Sequence, residues 1–217
     1  KKNTIDPQKI IEDYGADSAR LFILSDSPPE KDIQWSDEGI KSSYKFIQKL
    51  WSLNISIMEE IAKNHPNDSS QNISRFTNLF IKKMTNNLSL FSYNVLIANL
   101  HELYNYLNKE IKNQYTKKTL EENYSKILTT MIPIIPHFAM ECIKNNKFKL
   151  NQLWPAYDES LLEEKEIDYV VQINGKKRAL IQITKDWDEK KVLDNIKSDE
   201  NITKYFSNKK IKKTIFV

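Results

Sequence analysis

The sequence predicts a mostly α protein, an antiparallel helical bundle followed by a small α+β domain. Three observations carry this. Between Ser36 and Met131 apolar residues return every three or four positions in four successive stretches, the spacing of one face of an α-helix. After about residue 166 the period drops to two, and Asn174-Gly175 divides two alternating runs, the signature of a β-hairpin. Three glycines in 217 residues suit long helices and supply no glycine-rich phosphate loop.

Asp6-Pro7 predicts a capped helix running to Tyr14, with Gly15 ending it in a left-handed conformation. A second helix restarts at once, with Asp17 and Ser18 in its first turn and Ala19, Phe22 and Ile23 on its apolar side. From the cap Ser36, a long helix carries Ile40, Tyr44, Ile47, Trp51, Ile55, Met58 and Ala62 as its stripe. His65 to Ser70 reads as an exposed loop. The next stripes are Ile73, Phe76, Phe80, Met84, Leu88 and Phe91, then Leu96, Leu100, Leu103, Leu107 and Ile111, then Leu120, Tyr124, Ile127 and Met131. Four such stripes are satisfied by packing on one another. Pro133 and Pro136 bend or restart the chain before a short helix through Cys142.

Trp154 to Asp158 reads as an extended connector and Glu163 to Glu166 as an acidic linker. Beyond it, Tyr169, Val171 and Ile173, then Ala179, Ile181 and Ile183, form the inner face of a hairpin. A helix from Asp188 to about Lys197 turns Val192 and Ile196 inward, a further turn holds Ile202, Tyr205 and Phe206, and Lys210 to Val217 reads as a last strand with Ile211, Ile215 and Val217 on one face. The expected division is therefore 1–35, 36–160 and 166–217, the last with at least three strands.

The lone Cys142 excludes an internal disulfide and a cysteine-based zinc site, which favours a reducing cytoplasm. No apolar run is long enough to span a membrane, and the first residues lack the core of a signal peptide. The net charge of +4 is uneven: residues 165–217 hold 13 Lys and Arg against 8 Asp and Glu. The last domain is thus the expected polyanion contact.

Catalytic chemistry finds little support. His65, His101 and His137 are far apart and lack ligand-spaced partners, so no metal site is expected; His137 reads as a helix-start histidine rather than a base. Asp17 and Arg20 read as a cap and a structural ion pair. Trp35, Trp51 and Trp154 read as core or hinge packing against the alternative of base-stacking platforms. Lys82, Lys83, Lys112, Lys117 and Lys118 suit a phosphate track or a solvated face equally well. Lys176, Lys177 and Arg178 after the hairpin turn, with Lys209, Lys210, Lys212 and Lys213 on or before the last strand, are the strongest binding signal, because phosphate contacts need only clustered cations.

Tyr14-Gly15-Ala16-Asp17 with Arg20-Leu21-Phe22, Pro28 to Asp32, and Trp35 to Gly39 resemble the stretch that follows the KMSKS loop of class I aminoacyl-tRNA synthetases, in its bacterial leucyl-tRNA synthetase form. Tyr93-Asn94, Pro133 with Pro136-His137, Trp154-Pro155, and Val171 to Lys176 with Arg178 continue the resemblance in order. It implies a C-terminal part of a longer enzyme: residues 1–35 as the connecting, stem-contacting segment, 36–160 as the anticodon-binding bundle, understood to hold the tRNA body, and 166–217 as the domain that reaches the tRNA elbow. It implies tRNA(Leu) as partner, and a parent that joins leucine to it using ATP with Mg, in the cytoplasm and as a monomer. The catalytic and editing domains lie outside this chain, so no catalytic residue, metal or cofactor is expected in it, and the chain alone should be inactive; Lys1 and Lys2 border the ATP loop. The alternatives are the same region of an isoleucyl or valyl enzyme, or a non-enzymatic helical interaction module.

Overall fold

Asp6 caps the first helix through its carboxylate, which accepts from the Gln8 amide at 3.0 Å. Pro7 stands at its first turn. In this computed structural model the residues described are 5–26, 31, 34–149, 153–162, 166–184, 187–205 and 213–215. Contacts divide the chain into two units, residues 1–162 and 163–217. No helix among the described residues is long and apolar enough to cross a membrane.

In the first unit α1 spans Pro7–Tyr14 and α2 Ala16–Asp26. Gly15 between them has φ 80° and ψ 152°. It does take positive φ, but in the extended region reserved for glycine rather than in the left-handed helical one. The buried side of α2 also departs from expectation: Leu21 is 1 % and Phe22 5 % exposed, while Ile23 is 50 % exposed. Asp17 and Ser18 are buried on the same side.

The reason is a polar anchor. α6 (Lys117–Met131) and α7 (Pro136–Asn145) are separated by the proline break, and α7 has no side-chain cap of its own. Asp17 supplies one from α2: its carboxylate accepts from the His137 amide at 3.3 Å and the Phe138 amide at 2.6 Å. Arg20 faces the carbonyls that the break leaves over, donating Nε to Ile134 at 2.8 Å and Nη2 to Pro133 at 2.6 Å. Orphan donors and acceptors of a helix end are thus both satisfied by one turn of α2. The expected ion pair within α2 is replaced by four longer-range hydrogen bonds, two from each residue.

The bundle proper is α3 (Asp37–Lys63), α4 (Asn72–Ser89), α5 (Tyr93–Glu110) and α6. Ser36 caps α3 by accepting from the Gly39 amide at 3.1 Å, and Asn64 closes it at φ 47°. α5 and α6 bury the stripes read from the sequence. α3 does so only in part: Ile40 is buried and Ile47 and Met58 pack against the core, but the main core face is Phe46, Leu50, Leu53, Ile57 and Ile61, while Tyr44, Trp51 and Ile55 are on the surface. α4 buries Ile81 beside Ile73, Phe80 and Met84 and ends before Phe91, which is 63 % exposed at φ 53°. α4 packs on α5 and α6, and α3 touches the same two helices, so the consecutive α3 and α4 sit diagonally. The loop crossing between them is pinned: Asp68 accepts from the Thr116 amide at 2.6 Å and the Thr119 hydroxyl at 2.7 Å. Position 39 is equally tight, because a Cβ there would lie 2.5 Å from the Phe22 ring.

The second unit pairs β1 (Glu166–Ile173) with β2 (Lys176–Thr184) antiparallel and covers one face with α8 (Glu189–Ser198) and the short α9 (Glu200–Thr203). Its core is Val171, Ile181, Ile183, Val192 and Ile202, with Tyr169, Ile173, Ala179, Trp187 and Ile196 against it. The inner face is the one the alternation predicts. Among the described residues the sheet has two strands rather than three. Of the expected third strand only residues 213–215 are described; they carry no strand, and Ile215 is exposed. Phe206, Ile211 and Val217, Glu163 to Lys165 of the linker, and Pro28 to Glu30 with Asp32 lie outside the described residues.

Two stability tests follow from the anchors. Asp17→Ala should cost about 1–3 kcal/mol, and Asp17→Asn less, because the amide oxygen still accepts; urea unfolding followed by far-UV circular dichroism measures both. At Asp68, burial pushes the carboxyl up, but the bonds from Thr116 and Thr119 outweigh it and hold it below its ordinary value of 3.8. A group shifted down contributes stability above its unfolded value and loses it as the pH falls through its lower folded value. Asp68→Ala should therefore cost about 0.5–1 kcal/mol at neutral pH, small because the site is exposed, and less once the carboxyl is protonated in acid.

Candidate nucleic-acid interface

Cations gather at the tip of the hairpin. Asn174 and Gly175 take φ 52° and 73°, which a two-residue turn between right-twisted strands requires. The register then sets Lys176 opposite Ile173 and Lys177 opposite Gln172, but Ala179 opposite Val171. Arg178 is therefore the extra residue of a β-bulge, a device that re-aims a side chain. Its guanidinium carbon sits 4.4 Å from the Tyr205 ring centre, and Lys204 Nζ lies 5.3 Å from the same ring. Cross-strand partners share a face, so Lys176 lies on the side of Ile173 and Lys177 on the opposite one. All three hairpin cations are exposed.

Lys213 is exposed too. Lys209, Lys210 and Lys212 lie outside the described residues, as do Lys1 and Lys2. The residues that sequence reasoning missed are Lys204 and Tyr205. Their signal was an aromatic next to a lysine just past a buried isoleucine, a pattern too common to single out.

On the helical unit the lysines separate into two groups. Lys83 binds Glu102 at 2.8 Å, and Lys117 and Lys118 reach Glu121 and Glu122 one turn on at 3.7 and 3.9 Å. Lys82 instead lies 5.8 Å over the Tyr157 ring, and Lys112 has no carboxylate partner among the described residues. Trp35 donates to Asp37 at 2.8 Å and packs edge-on to Phe22, and Trp154 donates to the Thr85 hydroxyl at 2.8 Å. Trp51 touches Phe138 edge-on yet stays 37 % exposed.

The histidines are scattered. His65 is 3.8 Å from Glu60, His101 stacks on Phe46 at 3.8 Å, and His137 gives its amide to Asp17. Burial, with the charge of Lys49, pushes His101 below its ordinary value. Burial, with Glu141 adding to it, pushes the Cys142 thiol up to about 12, which leaves it an inert part of the core.

Comparison with known proteins follows the same outline. Residues 70–193 match the family model of the anticodon-binding domain of tRNA ligase. The leucine–tRNA ligase of Petrotoga mobilis is 34% identical over 232 residues, covering 100% of this chain and 28% of that protein. Those of Thermotoga petrophila and Thermotoga maritima are each 32% identical over 231 residues, again covering 100% of this chain and 28% of theirs. The chain thus spans less than a third of the length of these curated relatives. The crystal structure of the Agrobacterium radiobacter K84 agnB2 LeuRS–tRNA–LeuAMS ternary complex shares the fold, with a TM-score of 0.76 at 23% identity, over 99% of this chain and 29% of that one.

If the ring of Tyr205 holds Arg178, then Tyr205→Leu should free the guanidinium at a cost of about 0.5–1 kcal/mol to the small unit. The ¹⁵N relaxation of the Arg178 Nε signal should show it moving faster than in the parent chain, while Tyr205→Phe should leave it restrained.

Proposed function

We propose, from the premise that this chain belongs to the anticodon-binding domain family of tRNA ligases, that it is the tRNA-holding part of a leucine–tRNA ligase. The observation that carries this reading is that leucine–tRNA ligases align along the whole chain, helical unit and hairpin unit alike. In the parent enzyme, leucine and ATP give leucyl-adenylate and pyrophosphate, and the tRNA terminal hydroxyl then takes the leucyl group and releases AMP. Those steps belong to parts of the enzyme other than this chain, so the chain alone holds tRNA(Leu) without charging it. We place that work in the cytoplasm, in a monomeric enzyme.

The hairpin fits the role physically. Lys176, Lys177 and Arg178 supply adjacent positive charges with no base-reading geometry, the chemistry of contacts that position a phosphate backbone. Arg178 is held over an aromatic ring, so less side-chain freedom is lost when it meets a phosphate. Lys213, and with it Lys209, Lys210 and Lys212, extend the same charge along the chain.

Filter binding of a tRNA(Leu) transcript across a salt series tests the proposal. The expected result is tight binding at low salt that weakens steeply as salt rises. Changing Lys176, Lys177 and Arg178 together to Ala should flatten the slope of log affinity against log salt by about 2–3, with the circular dichroism unchanged. Binding indifferent to salt overturns the tRNA role, and binding that survives the triple change unaltered moves the contact elsewhere.

A further inference from the structure

The hairpin turn holds the one asparagine of the chain that is followed by glycine, Asn174 before Gly175. After every other asparagine comes a residue whose side chain crowds its own amide nitrogen. Asn174 and Gly175 are both exposed, and the Asn174 side chain has no hydrogen-bond partner among the described residues. Nothing lies within 4 Å of where a Cβ on Gly175 would stand, so the backbone there is open to solvent and to the side chain before it.

The turn is also free to open. The bulge between Val171 and Gln172 interrupts the ladder, so beyond it only the pairs Gln172 with Lys177 and Ile173 with Lys176 hold the turn. Both stand at the end of a sheet that has two strands among the described residues, where pairing opens at little cost. Asn174 sits at φ 52°, a conformation that is costly for a residue with a Cβ and that opening relieves. Lys176 and Lys177, exposed beside it, favour loss of the Gly175 amide proton by their charge.

We infer that Asn174 is a site of self-modification, converting to aspartate and isoaspartate through a cyclic imide. The Gly175 nitrogen gives its proton to hydroxide and attacks Asn174 Cγ; the bond from Cγ to the side-chain nitrogen breaks, and ammonia leaves with a proton taken from water. Water then opens the ring, at Cγ to give aspartate or at the main-chain carbonyl carbon to give isoaspartate, and nothing is oxidised or reduced. Either product sets a carboxylate among Lys176, Lys177 and Arg178. Isoaspartate also lengthens the main chain by a methylene, in a turn whose strand register depends on its two-residue length. The modification stands on the turn alone; its consequence, a weaker hold on phosphate, rests on the tRNA reading proposed above. Asn64 is the internal control, since it is exposed at φ 47° but precedes His65.

The test warms the intact chain in H₂¹⁸O at neutral and mildly alkaline pH, beside a free peptide of residues 171–178, and maps the label by mass spectrometry. Heavy oxygen should enter at Asn174 at a rate within about tenfold of the peptide's, because the tip opens readily, and faster at the higher pH, while Asn64 stays an amide. Gly175→Asn, which keeps a residue tolerant of positive φ, should leave position 174 unlabelled. The aged chain should bind a tRNA(Leu) transcript more weakly than the fresh one, with the log–log salt slope lowered by about 1; Asn174→Asp should do the same without ageing, and aged Gly175→Asn should not. An Asn174 that stays unlabelled while the peptide converts overturns the inference, as does label entering Asn64 as fast as Asn174. Label at Asn174 with tRNA binding unchanged by ageing and by Asn174→Asp overturns the consequence for the interface. A fresh chain without salt-sensitive tRNA binding overturns the tRNA reading, and the label alone then decides the modification.

Discussion

One turn of α2 holds the helical unit together. Asp17 and Arg20, three residues apart, satisfy the two halves of a break between α6 and α7 more than a hundred residues downstream. The prolines at 133 and 136 make that break, removing backbone donors and leaving carbonyls without helical partners. Where such a group is buried, as the Phe138 amide is, leaving it unmet would cost about 1–3 kcal/mol. The anchor also dictates which side of α2 is buried, and through Leu21 and Phe22 it fixes how α2 meets the bundle.

Local chemistry was legible in the sequence where a helix has a single apolar arc. α5 and α6 show one stripe each, and that stripe is the core. α3 shows two, about a quarter turn apart, and periodicity alone cannot say which faces inward. The buried arc through Leu50 and Ile57 faces α5 and α6, and the arc through Tyr44 and Trp51 reaches the core only at Ile40, Ile47 and Met58. The Asp17–Arg20 spacing reads as a local pair for the same reason: three residues along a helix is within reach of a partner, and nothing in that interval announces a partner 120 positions away.

At the hairpin the turn chemistry was plain and the bulge was not. Asn-Gly fixes the turn because both residues must take positive φ, whereas the extra residue at Arg178 emerges from a mismatch between two runs of alternation. Three adjacent cations in the sequence thus become three differently aimed ones. Lys176 and Lys177 are parted by the pleat, and Arg178 is drawn to an aromatic ring contributed by the residues after α9.

Gly39 has a further consequence for the geometry of the first two helices. The absent side chain lets the first turn of α3 rest directly on the Phe22 ring, beside a second contact of the α1–α2 arm at Tyr14 and Tyr44. Even a methyl group there would act as a shim, tilting that two-helix lever and drawing the Asp17 carboxylate away from the amides it caps.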